Sequence, residues 1–77
     1  MTFDTIYEFL RLGECIRRHG ATLHQFHYDG KTIWKLRKRI HGGKASNDTV
    51  REQALFNGID LMANDWEVVP KVERLNK

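Results

Sequence analysis

At 77 residues the chain is long enough for one small domain, whose single core supplies only about 3–5 kcal/mol of stability. Its one cysteine, Cys15, excludes an internal disulfide and a cysteine-based zinc site, so we expect oligomerisation to add stability. Asp4 and Glu8 stand where a signal peptide needs an apolar region, and no run reaches membrane-spanning length, which predicts a cytoplasmic protein.

The net charge of +3 is unevenly distributed along the chain. Residues 11–44 carry nine Lys and Arg against Glu14 and Asp29, a net charge of +7, whereas residues 1–10 and 45–77 each carry −2. Such asymmetry indicates an anionic partner: nucleic acid, a nucleotide or an acidic protein surface.

An amphipathic helix is predicted at the start of the chain. Thr2 is a suitable N-cap, Gly13 fits the position after the last turn, and one apolar face follows helical spacing: Phe3, Ile6, Tyr7 and Leu10. The stretch from Glu14 then changes pattern and predicts a short strand, with Arg17 and Arg18 on opposite sides.

Asp29-Gly30 lies between runs rich in β-branched and aromatic residues and predicts a hairpin. The second arm is ambiguous, because Ile33, Leu36 and Ile40 would also share one side of a helix. The turn and the start Thr32-Ile33-Trp34 favour a strand.

The second half of the chain predicts shorter elements. Residues 41–48 indicate a loop, Thr49 and Glu52 form a possible capping box for a helix ending near Asn57-Gly58, and Ile59 to Ala63 form another helical turn. Trp66 to Val69 indicate a last edge strand, ended by Pro70. The sum is one α+β domain over residues 1–70, with a small antiparallel sheet, an N-terminal helix, one or two short helices in the C-terminal half, and a flexible tail at 71–77.

No catalytic or metal-binding pattern stands out in the sequence. His24 and His27 would point to opposite faces of a strand, and the chain has no phosphate-binding loop, dinucleotide motif or serine elbow. We therefore predict a binding protein without enzymatic activity, metal or cofactor. Trp34 among several cations, with Tyr28 across the hairpin, suits stacking and phosphate contacts.

Both ends of the chain resemble a known family. "MTFDTIYEFLRLGECIRR" is similar to the opening of small phage and prophage proteins that begin with Met-Thr-Phe, a short helix ending at Gly, and a strand with a basic pair. "DLMANDWEVV", residues 60–69, is similar to that family's closing segment. The family contains the Thoeris anti-defence sponges of the second type.

The resemblance implies a homo-oligomer, typically a tetramer, that sequesters a cyclic ADP-ribose isomer or a cyclic oligonucleotide without turning it over. The matching segments are residues 1–18 and 59–70, and the family's pocket residues do not carry over to 19–58. We predict Arg17, Arg18 and Arg37 as phosphate contacts, Trp34 or Tyr28 as a stacking surface, and Asp65, beside Asn64, as an acceptor for ribose hydroxyls or base amines. Two alternatives stay open: a nucleic-acid-binding or nucleoprotein-directed inhibitor that uses the basic hairpin, and a protein-interaction or virion component.

Overall fold

A five-stranded antiparallel sheet with one helix across it forms the body of the protein. The computed structural model describes the backbone of residues 1–75 and the side chains of residues 1–44 and 48–75. The elements in chain order are α1 (Phe3–Arg11), β1 (Ile16–Arg18), β2 (His24–Tyr28), β3 (Ile33–His41), β4 (Lys44–Gln53), α2 (Gly58–Met62), β5 (Trp66–Val68) and a 3-10 turn (Lys71–Glu73). The strand order is β4-β3-β2-β1-β5, which confirms the predicted α+β class.

Helix α1 begins and ends where the sequence indicates. The Thr2 side chain accepts a hydrogen bond from the Thr5 amide, and Gly13, at φ +95°, turns the chain away from the helix end. Ile6 and Leu10 are fully buried against the sheet. The face of the sheet that α1 covers, which includes Ile16, is called the helix-side face below.

Aromatic rings fill the core under α1. The rings of Phe26, Phe56 and Trp66 lie with centroids 4.8–6.0 Å apart, and Phe3 of the helix packs edge-on against Phe56 and Trp66. The Trp66 indole Nε1 donates to the Asp60 carbonyl at 2.9 Å, so α2 is fixed to the same core.

The β2–β3 hairpin confirms the predicted reversal near Asp29-Gly30 and the choice of a strand for the second arm, but its connection spans the four residues 29–32 and not a two-residue turn. The Asp29 Oδ1 atom accepts hydrogen bonds from the amides of Lys31 and Thr32, both at 2.8 Å. These bonds hold the turn closed and set a register that places Phe26 opposite Lys35.

Strand β4 replaces the loop and the helix that the sequence predicts over residues 41–57. Only Gly42 and Gly43 form the turn, at φ +56° and +81°, and the chain then pairs back along β3. The predicted capping box at Thr49 and Glu52 is wrong, because Thr49 pairs with Lys38 and Glu52 with Lys35 in the ladder. Two successive positive φ angles give the turn whose twist matches a hairpin, so strand pairing takes precedence over the local helical pattern.

The remaining elements agree more closely with the sequence. Helix α2 covers most of the predicted turn from Ile59 to Ala63, and Asn57 and Asp60 form its capping box with hydrogen bonds of 2.9 and 3.2 Å. Strand β5 is an edge strand that pairs with β1, which places Trp66 opposite Arg18.

Residues 70–75, called the C-terminal segment below, pack on the face of the sheet opposite α1. They include most of the stretch for which the sequence predicts a tail. The fully buried Gln25 donates from Nε2 to the Glu73 carbonyl at 2.7 Å and accepts from the Leu75 amide at 3.0 Å, and Leu75 is itself buried. The last part of the predicted tail, residues 76–77, lies outside the described residues. No helix in the described part of the chain is long and apolar enough to cross a membrane.

Candidate ligand-binding site

The two arginines of β1 point to opposite faces of the sheet, because successive side chains of a strand alternate. Arg17 lies on the face under the C-terminal segment, where its guanidinium contacts Glu67 at 3.3 Å and Glu73 at 3.2 Å. Burial opposes its charge, but the hydrogen bonds and charges of the two glutamates outweigh it and raise the pKa of Arg17. The Arg17 Nε atom is buried and has no hydrogen-bond partner among the described residues.

Arg18 lies on the helix-side face and forms a two-point ion pair with Asp65. Its Nε donates to Oδ1, and its second guanidinium nitrogen donates to Oδ2 at 3.2 Å. Asp60 lies 3.5 Å away, and the guanidinium stands 5.8 Å from the Trp66 ring centroid. The hydrogen bond from Arg18 lowers the pKa of the Asp65 carboxyl. Both predicted residues are therefore brought together, with their polar atoms directed at each other.

The two predicted stacking residues also lie on opposite faces. The Trp34 Nε1 donates to Asp29 Oδ2 at 2.8 Å, and the Arg51 guanidinium lies 4.5 Å from the centre of the Trp34 ring. The Tyr28 hydroxyl donates to the Gly30 carbonyl at 2.9 Å. Hydrogen bonds from the Thr32 amide, the Trp34 indole and the Lys31 amide lower the pKa of the Asp29 carboxyl.

Arg37 and Asn64 are far less enclosed. The Arg37 Nε lies 3.5 Å from Glu52 across the β3–β4 pair, and both side chains are about half exposed. Asn64 is exposed, and its backbone carbonyl oxygen accepts a hydrogen bond of 3.0 Å from the amino group of Met1. The seven predicted residues thus do not converge on one point: Arg17 and Trp34 lie on one face of the sheet, and Arg18, Tyr28 and Arg37 on the other.

A cleft of about 490 Å³ lies between the sheet and the C-terminal segment. Arg17, Lys38, Thr22 and Thr49 contribute its sheet wall, and Val72 to Leu75 contribute the opposite wall. Its volume falls in the range of about 300–1,000 Å³ that is usual for small-molecule sites. Of the predicted residues, only Arg17 lines this cleft.

The basic side chains of the cleft differ in whether they are paired with carboxylates. Arg74 is paired with Glu14, and Arg17 with its two glutamates, whereas Lys38 has no ion-pair partner within the described residues. Thr22 and Thr49 also line the cleft, and their hydroxyls can donate or accept hydrogen bonds. Lys38 was not among the predicted binding residues. The alternation in β3 indicates on which face of the sheet Lys38 lies, but the sequence predicts a flexible tail for the segment that forms the opposite wall of the cleft.

A second, smaller cavity of about 180 Å³ lies on the helix-side face. Arg18, His24 and Lys35 line it together with Asp60, and the Phe26 ring and the Leu55 side chain are its apolar parts. Burial, then the charges of Lys35 and Arg37, lower the pKa of His24. Arg18 in this cavity is paired with Asp60 and Asp65, and the volume is too small for a whole nucleotide.

Metal ligation and similarity to known proteins add no further assignment. Within the described residues no group of three or more His, Cys, Asp or Glu side chains is placed to hold a metal ion. Comparison with protein-family models, curated proteins and solved structures finds no match to this chain.

Proposed function

We propose that the protein is a non-catalytic binding protein that captures an anionic, nucleotide-derived small molecule in the cleft under the C-terminal segment. One observation carries the proposal: a cleft of about 490 Å³ is lined by Lys38, which has no ion-pair partner among the described residues, together with Thr22 and Thr49. Phosphate oxygens accept hydrogen bonds from ammonium and hydroxyl groups.

The terminal motifs support a more specific version. Their resemblance to the sponge family favours a phage protein that removes an immune signal, such as a cyclic ADP-ribose isomer or a cyclic oligonucleotide, from an infected cell. Capture without turnover lowers the free signal by mass action, so abundance and affinity replace catalysis.

We include homo-oligomerisation, with a tetramer as the expected form, in this proposal. Large apolar side chains are exposed on and next to α2: Leu55 at 87%, Ile59 at 75%, Leu61 at 51% and Met62 at 87%. A cluster of this kind is typical of a surface that another subunit covers. Native mass spectrometry reports subunit number and bound mass together, and a monomer at every concentration would contradict this part of the proposal.

The ligand is tested by retention. Purified protein is incubated with a panel of cyclic ADP-ribose isomers and cyclic dinucleotides, desalted and heated, and the released compound is identified by mass spectrometry. We expect one intact compound to be recovered. No retained compound across the panel would refute the small-molecule function.

Lys38→Ala locates the site. Loss of a charged hydrogen bond to phosphate is expected to weaken binding about tenfold or more, because such bonds contribute about 1.5–3 kcal/mol. Lys31→Ala is the matched control, since Lys31 is exposed in the β2–β3 turn and does not line the cleft. Equal retention by both variants would place the ligand elsewhere.

A further inference from the structure

The far end of the β3–β4 hairpin extends beyond the rest of the sheet. Pairing of β2 with β3 ends at His24 opposite Arg37, with one more backbone bond from the Lys38 amide to the Leu23 carbonyl at 3.2 Å. Among the described residues, residues 39–48 beyond this point pair only with each other, and a break in register follows Lys38. This two-stranded part, residues 39–48, is called the basic ribbon below.

The hairpin that ends in the basic ribbon concentrates positive charge. Residues 33–53 carry six Lys and Arg against Asp48 and Glu52, a net charge of +4, so the rest of the chain has a net charge of −1. Of these cations only Arg37 has an ion-pair partner within the described residues, and Arg39 and Lys44 are both exposed. Ordinary surface charge would be interspersed with carboxylates.

The dimensions of the basic ribbon fit a groove of duplex DNA. Two paired strands lie about 4.8 Å apart, and the major groove of B-form DNA is about 12 Å wide and admits a two-stranded ribbon. The walls of that groove are phosphates, to which exposed Arg and Lys on both strands are complementary. A-form RNA has a deep, narrow major groove that would exclude a ribbon.

We propose that the basic ribbon inserts into the major groove of duplex DNA and holds it through the phosphates, with Arg39 and Lys44 among the contacts. The exposed Ile40, at 56%, stands between these cations in sequence and adds apolar surface at the base edges. The contact is independent of the cleft, because neither Arg39 nor Lys44 lines it.

The test is the salt dependence of binding to a short DNA duplex, measured by fluorescence anisotropy between about 50 and 200 mM salt. Each phosphate contact contributes about 0.9 to the slope of log K against log salt concentration. We expect Arg39→Ala and Lys44→Ala each to reduce the slope by about 0.9, and the double variant by about 1.8. Lys71→Ala, which removes an exposed cation of the C-terminal segment, should leave the slope unchanged.

Three results would overturn the proposal: absence of binding to the duplex, an unaltered slope in the double variant, or equal affinity for an RNA duplex of the same sequence. Circular dichroism establishes that the variants fold, which is expected because both side chains are exposed. Small-molecule retention by the double variant should match that of the wild type, so failure of this proposal is distinguishable from failure of the cleft.

Discussion

Arg17 and Arg18 are neighbours in β1, yet each organises a separate group of carboxylates. Arg17 joins β5 to the C-terminal segment through Glu67 and Glu73, and Arg18 joins β1 to the junction before β5 through Asp65. The two side chains therefore have structural partners in the free protein, and any ligand that contacts either one must share it with a carboxylate. Lys38 has no ion-pair partner in the described part of the chain, so a ligand there competes with no such partner, and we centre the proposed site on it.

The Arg18–Asp65 pair makes stability depend on pH in a defined direction. The pKa of Asp65 is lowered from 3.8 in the folded chain, so the pair stabilises the fold above that value. This contribution is lost as the pH falls through the lowered pKa of the folded state. We expect Asp65→Asn to melt at a lower temperature than the wild type at neutral pH, and the difference to shrink under strongly acidic conditions. Thermal melts followed by circular dichroism measure both.

A difference in melting temperature between Asp65→Asn and the wild type that stays constant down to the lowest pH would assign the effect to packing at the junction instead of to charge.

Both residues of this pair could be predicted from the sequence, since each was singled out as a binding group. It could not supply their contact, because the two side chains are 47 residues apart and meet only when β5 pairs with β1.

The edge strand β4 could not be predicted from the sequence pattern. Its sequence, KASNDTVREQ, has no alternation of apolar and polar residues, because an edge strand outside the helix-covered part of the sheet need not bury one face. The Thr49 and Glu52 spacing then resembles a helix start. By contrast α1 buries one face, with Ile6 and Leu10 in the core, and its helical periodicity predicted the correct element type.

The Gly42-Gly43 turn determines that β4 is a strand, and it can be tested directly. Apart from each glycine and its chain neighbours, no described atom lies within 4 Å of the place where a Cβ would stand, so we expect substitutions to act through the backbone. We expect Gly43→Ala, at φ +81°, to lower the free energy of unfolding by about 1–2 kcal/mol. Gly42→Asn is the control, since φ +56° lies where Asn is tolerated. Urea denaturation measures both, and equal effects would contradict this account.

At the scale of the whole molecule, segments that are far apart in the sequence form the two walls of the cleft. The sheet wall of the cleft comes from β1, β3 and β4, and the other wall comes from residues 72–75. Gln25 holds the two together with hydrogen bonds to the backbone of Glu73 and Leu75. Binding in the cleft should therefore depend on a residue that does not line it.

Gln25→Leu tests this coupling. The substitution leaves the Leu75 amide and the Glu73 carbonyl without their partner, which is expected to cost about 1–3 kcal/mol of unfolding free energy. Hydrogen exchange at the Leu75 amide should accelerate, and retention of the small molecule should fall. Gln53→Leu, at an exposed position of β4, is the control. Unchanged exchange at Leu75 would show that the C-terminal segment is held by other contacts.

The outer edge of β4 has a consequence for the behaviour of the protein at high concentration. Ten residues of strand lie at the end of the sheet, and the outward N–H and C=O groups of such an edge form a template for any extended chain. Lys44, Asp48, Arg51 and Glu52 place two positive and two negative side chains along this edge, and pairing with another chain would remove water from them. These charges act as gatekeepers against sheet extension. Replacing them by apolar residues is therefore expected to expose the protein to edge-to-edge aggregation.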